Sequence, residues 1–180
     1  MVERSDTTGN HTPAVFTPKG WQNSRIFDMM PKMASTYLSL SYHLVFGTKN
    51  REPMIDAQWR VRLHEYLGGT VHGLGGIPTE IGGIADHVHI LVNLKATHVL
   101  ADVVRELKKA SSIWIHHEIG TRSFAWQEGY AAFTISATSS EAVRQYIRKQ
   151  EEHHRKRSYR EEVQEMLTKA GVAFEPRYLE

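Results

Sequence analysis

The order in which strand-like and helix-like patterns follow one another restricts this chain to few folds. Residues 37–48, "YLSLSYHLVFGT", have the β-branched, aromatic and alternating character of a strand, and the polar "TKNREP" ends it. In residues 56–72, Trp59, Leu63, Tyr66 and Leu67 recur at helical spacing behind Asp56, a residue type suited to an N-cap. The Gly-rich "GLGGIP" breaks that helix. "TEIGGIA" and "HVHILVNL" then read as two strands around a turn, followed by a long helical stretch over 98–119. "YAAFTISA" reads as a further strand, Ser139 or Ser140 can cap a helix running to about Arg155, and residues 158–170 continue helical until Gly171. The expected fold class is therefore α+β: a ferredoxin-like β-α-β-β-α-β antiparallel sheet with additional C-terminal helices. This topology sets the third strand in the middle of the sheet beside the first, so His43 on the first strand can neighbour what the third one carries, although a packed, hydrogen-bonded histidine is the favoured reading of it.

Length allows one domain with a real core, expected over residues 34–180. Residues 1–33 hold three of the six prolines among Ser, Thr, Asn and Gly without periodicity, and read as a flexible N-terminal extension or as residues ahead of a start at Met33. The absence of cysteine excludes disulfides, thiolate metal sites and cysteine nucleophiles, leaving His, Asp, Glu and amide oxygens as ligands. A net charge of +2 neither demands nor forbids a nucleic-acid partner. No apolar run is long enough to span a bilayer and the start lacks a secretory pattern, so a cytoplasmic protein with no membrane partner is expected.

The chemistry concentrates in "DHVHILV". On a strand, His87, His89 and Leu91 share one face while Val88, Ile90 and Val92 share the other. One face packs; the other presents two imidazoles close enough to share a cation. With 11 histidines in the chain, roughly 0.7 His-x-His triplets arise by chance, so the pair needs support from elsewhere. Residues 141–157, "EAVRQYIRKQEEHHRKR", offer it: Tyr146 and Gln150 stand at i and i+4 on one helical face. If that helix lies over the histidines, Gln150 completes the protein ligands and Tyr146 points at what the cation holds. His153 and His154 read instead as contacts to phosphate or solvent.

In matching order over residues 36–157, "YHLVFGTKNREP", "DHVHILV", "LKKASSIW", "FAWQEGYAAFTIS" and "VRQYIRKQEEHH" resemble the single-tyrosine HUH transposases of small insertion sequences, the IS200-like and REP-associated branch in particular. The resemblance implies a transposase that nicks and rejoins single-stranded DNA through a covalent 5′-phosphotyrosine link. It assigns Tyr146 as nucleophile and His87, His89 and Gln150 as ligands of Mg²⁺ or Mn²⁺, with no organic cofactor. It further implies DNA with hairpin ends as partner, and a homodimer in which the tyrosine helix of one subunit can serve the other. A domesticated or non-catalytic nucleic-acid-binding relative would carry the same motifs.

These residue types suit the chemistry. A phenol of ordinary pKa near ~10 attacks poorly at neutral pH unless nearby cations favour its phenolate. A divalent ion polarises a phosphate oxygen and orients the scissile bond. Lys49, Arg51, Lys108, Lys109, Arg148, Lys149 and Arg155 are the candidate DNA contacts, with Trp114, Trp126 and Tyr130 as candidate stacking surfaces. Tyr159, which follows the basic run, is the rival nucleophile.

Overall fold

The chain is described here by a computed structural model over residues 36–155 and 157–179; the expected flexible extension over 1–33 and Lys156 lie outside the described residues. The elements are β1 (Ser41–Gly47), α1 (Ala57–Gly73), β2 (Ile77–Gly83), β3 (His87–Asn93), α2 (Leu100–Trp114), β4 (Ala131–Ile135), α3 (Ser140–Arg148), α4 (Gln150–His153) and α5 (Tyr159–Lys169). All strand pairs are antiparallel in the order β2-β3-β1-β4, so β3 lies between β2 and β1 as the ferredoxin-like order requires.

Period-two alternation divides the sheet into two unlike faces. Leu44, Phe46, Val88, Ile90 and Val92 point to one side and form the main core with α1 and α2. Asp56 starts α1 by accepting from the Gln58 backbone N–H, and Trp59, Leu63, Leu67 and Val71, four residues apart, are its buried stripe. Val103, Val104, Leu107 and Ser111 are the buried residues of α2. On the opposite face His43 and Val45 of β1 lie beside His89 and Leu91 of β3, in the register Val45↔His89 and His43↔Leu91. A smaller apolar cluster of Val45, Ala131, Phe133, Tyr159, Val163, Met166, Leu167 and Leu179 fastens α5 over this second face.

Two expectations about the C-terminal helices change. The helix expected from Ser139 or Ser140 to about Arg155 breaks at Lys149, whose φ of −99° and ψ of 20° leave the helical region. Just past the break Gln150 is 2 % exposed, and its side chain is hydrogen-bonded below the helix. Periodicity does not report a one-residue break of this kind. Residues 158–170 likewise start a separate helix and do not continue the previous one. Ser158 accepts from the Glu161 N–H and the Glu161 side chain returns to the Ser158 N–H, a capping box that ends one helix's reach and begins α5.

Candidate metal centre and tyrosine

β3 fixes the first two groups. His87 and His89 are both 0 % exposed, on one face of the strand, with ring centroids 4.9 Å apart. Each imidazole is held from behind at Nδ1. For His87 the partner is Asp86 Oδ1 at 2.7 Å, and Asp86 is paired in turn with Arg51. Burial alone would push the Asp86 carboxyl up, but its bond to His87 and the charges of His87 and Arg51 outweigh that and hold it below the usual range. For His89 the partner is His43 Nε2 at 2.9 Å. Burial, reinforced by His87 and His43, keeps His89 well below the ordinary imidazole pKa, and burial lowers His43 to about 4.

The helices close over these rings. Gln150 Oε1 lies 3.2 Å from His87 Nε2, while Gln150 Nε2 donates to Glu162 Oε1 at 3.0 Å. Tyr146, one turn before Gln150, donates its hydroxyl to the same Glu162 oxygen, and its ring stands edge-on to His89 at 5.9 Å between centroids. Glu162 Oε2 is 3.5 Å from His89 Nε2, 3.7 Å from His87 Nε2 and 3.0 Å from His154 Nε2. His87, His89, His154 and Glu162 thus form a buried group able to hold a metal ion.

The donor set fits a cation on chemical grounds. With Nδ1 held by Asp86, His87 turns Nε2 towards the Gln150 oxygen, and in the Nδ1–H tautomer two acceptors face each other there. His154 gives Nδ1–H to the Arg157 carbonyl and turns a bare Nε2 towards Glu162, which meets it as a donor when protonated and as a second acceptor when ionised. His89 Nε2 is buried with no hydrogen-bond partner at all. Glu162, 2 % exposed, is pushed up to about 8 by burial, against the opposing pull of Arg51 and with Asp86 and Glu165 adding to it. Converging lone pairs and a carboxylate short of positive charge are what a bound cation satisfies.

The structure brings His87, His89, Tyr146 and Gln150 together within one chain, Tyr146 and Gln150 from either side of the break at Lys149. His154 faces Glu162 and is withdrawn from solvent, contrary to its expected role; His153 stays partly exposed against the Tyr146 ring. Glu162 was missed. The signal was its place among Tyr159, Val163 and Met166 on the apolar stripe of α5, where a carboxylate has no bland reason to be. The rival Tyr159 is buried beneath the Arg51 guanidinium, 3.3 Å from its ring centroid, and burial raises its phenol pKa.

The expected DNA-contacting cations separate into two groups. Arg51 is spent on Asp86 and Tyr159, Arg148 pairs with Glu80 of β2 at 2.8 Å, and Lys108 donates to the carbonyls of Gln127, Glu128 and Gly129. Those three hold the fold. Lys49, Lys109, Lys149 and Arg155 are exposed, with Lys109 in a loose 3.8 Å pair with Glu106. Lys149 and Arg157 line an open groove of about 550 Å³ with Gln145, Tyr146 and His153. Among the aromatics, Trp126 is buried and bonded to Ser111, Trp114 stacks on Tyr66, and Tyr130 is exposed.

The four-stranded antiparallel sheet with its helices is a fold shared with transposases of known structure. The family described as "Transposase IS200 like" matches residues 36–150, and the chain belongs to that family. No curated protein matches it closely. Among solved structures it is similar to "a putative transposase from Deinococcus radiodurans R1", with 24% identity and a TM-score of 0.52 over 67% of this chain and 98% of that one. It is also similar to a REP-associated tyrosine transposase bound to a REP hairpin, with 16% identity and a TM-score of 0.51 over 69% and 74% of the two chains. At these identities the likeness shows the fold. Among the described residues no helix is long and apolar enough to cross a membrane.

Proposed function

We propose that this transposase cleaves and rejoins single-stranded DNA, with Tyr146 as nucleophile and a cation site made by His87, His89, Gln150 and Glu162. The observation that carries the reading is the convergence of the Tyr146 hydroxyl, the Gln150 amide and two buried histidines on one carboxylate. A divalent ion held there supplies Lewis-acid polarisation of the scissile phosphate; His, amide and carboxylate donors suit Mg²⁺ or Mn²⁺.

The chain's own groups do the rest. The Tyr146 oxygen forms the bond to phosphorus, the bond from phosphorus to the 3′ oxygen breaks, and that oxygen takes a proton from solvent water to leave as a 3′ hydroxyl. With a bound cation keeping the Glu162 carboxyl ionised, its Oε1, which accepts the Tyr146 hydroxyl, is placed to receive the phenol proton. Rejoining is the reverse attack by a 3′ hydroxyl on the phosphotyrosine, so no organic cofactor is required. Lys149 offers a cation to the backbone entering the groove, which Arg157, paired with Glu165, also lines. Hairpin-ended DNA is the proposed substrate, since the REP-associated relative of the same fold is bound to a hairpin.

The test is incubation with hairpin-bearing single-stranded DNA and Mn²⁺, followed by denaturing electrophoresis. The expected result is a covalent adduct that Tyr146→Phe abolishes while DNA binding persists. Binding without any adduct from the unaltered chain would replace this reading with a non-catalytic one.

A further inference from the structure

Beside the group of His87, His89, His154 and Glu162 lies a further imidazole, His43, 4 % exposed and hydrogen-bonded to His89. It comes from β1, in register with Leu91 of β3 and Phe133 of β4, so the sheet itself sets its position. Its Nε2 meets His89 Nδ1 at 2.9 Å with the rings 5.1 Å apart and tilted by 31°. That contact occupies Nε2 of His43 and the Nδ1 of His89 that faces away from Glu162.

Two neutral imidazoles in contact share one hydrogen, and the direction of sharing has consequences. If His43 donates, His89 must carry its own hydrogen on Nε2, and a buried N–H points into the cluster without a partner. If His89 donates from Nδ1, its Nε2 is a bare lone pair aimed at the space bounded by His87, Gln150 and Glu162. Only the second arrangement makes His89 a ligand. Asp86 performs the same office for His87, where a carboxylate leaves no choice of direction. A histidine leaves one, which the surroundings of His43 must decide.

We infer that His43 is a positioning residue: its Nε2 accepts the Nδ1–H of His89, which fixes the tautomer that turns His89 Nε2 into a metal donor. This rests on the proposed cation site. Partners of this kind typically alter metal affinity by about 10- to 100-fold when removed. A side chain that retains an acceptor oxygen near the same point keeps the tautomer; an apolar ring of similar size does not.

The experiment has two readouts, neither of them catalytic. In the metal-free, ¹⁵N-histidine-labelled protein, two-bond ¹H–¹⁵N correlation spectra identify the tautomer of His89. Mn²⁺ affinity is then measured from the free-ion electron paramagnetic resonance signal for the unaltered chain, His43→Gln, His43→Phe and His89→Ala. The expected outcome is an Nδ1–H tautomer at His89, with binding weakened about 10- to 100-fold in His43→Phe and largely kept in His43→Gln. An Nε2–H tautomer at His89 overturns the inference whether or not the variants fold. So does undiminished binding by His43→Phe when His89→Ala binds weakly, and in that case the cation site itself stands. Undiminished binding by His89→Ala overturns the cation site and the inference together.

Discussion

Gly82 pairs across the sheet with His89, and a Cβ on Gly82 would lie 2.6 Å from the Ile147 carbonyl oxygen. The glycine lets the tyrosine helix rest directly on β2, with Tyr146 and Gln150 on either side of the contact point. Arg148 and Arg144 secure the same approach through Glu80 on β2. Backbone, not a mobile side chain, fills the space a methyl would need.

Gly82→Ala is therefore expected to push α3 outwards. Overpacking of this sort costs about 1–3 kcal/mol, and a shift near ~1 Å at the reacting groups can cost on the order of 100-fold in rate. Thermal melting should show the modest loss, while adduct formation falls far more than DNA affinity does. Equal losses in adduct and affinity would mean that Gly82 serves stability alone.

The geometry also bears on the exchange of helices between subunits that the family resemblance implied. Tyr146 here lies against the histidines of its own chain, with Glu162 of the same chain between them. A mixture of Tyr146→Phe and His89→Ala proteins is expected to form no adduct, since every subunit lacks one essential group. Restored adduct in the mixture would show that the helices cross between partners.

Much of this was readable in the sequence for a physical reason: alternation and helical spacing report which side of an element is buried. The faces of β3 follow from periodicity alone, whereas Tyr146 and Gln150 meet at Glu162 across the break at Lys149. Glu162 did not follow, because its place depends on how α5 docks on Val45, Ala131 and Phe133, contacts between elements far apart in the chain. The charged residues were legible as charges and opaque as to partner. Lys108 reads like any phosphate-binding lysine until the loop at Gln127–Gly129 is seen wrapped around its ammonium group. The break at Lys149 was equally silent, since one non-helical residue barely disturbs a hydrophobic pattern.

The metal-free protein should have a stability maximum near neutrality, set by groups that pull in opposite directions. His43, His64 and His154 are lowered to about 4 from 6.5, and His89 lies well below 6.5. The unfolded chain binds their protons first, so stability falls as pH drops below 6.5. Glu162 is raised from 4.5 to about 8, so its contribution to stability falls as pH rises from 4.5 through 8, and above 6.5 the histidines no longer offset that fall. At 1.36 kcal/mol per unit this alkaline loss is on the order of 2 kcal/mol. Denaturant titrations should show it in the unaltered protein and not in Glu162→Gln, and added Mn²⁺ should stabilise more at pH 8 than at pH 6. A Glu162→Gln curve identical to the original would exclude Glu162 as the source.

Lys108 and Lys149 provide the sharpest separation of structural from DNA-contacting charge. Lys108 donates to three backbone carbonyls and is half-buried over Phe46, which leaves no free donor for a phosphate. Lys149 is exposed at the groove that holds Tyr146. Lys108→Met should lower stability by about 1–3 kcal/mol, through carbonyls left unpaired, and leave the salt dependence of DNA binding unchanged. Lys149→Ala should leave the melting temperature nearly unchanged and reduce the slope of log K against log salt by about 1, because one phosphate contact and its released counterion are lost. Fluorescence anisotropy across a salt series measures both slopes. The reverse pattern, a reduced slope in Lys108→Met and an intact one in Lys149→Ala, would move the DNA path away from the tyrosine groove and towards α2.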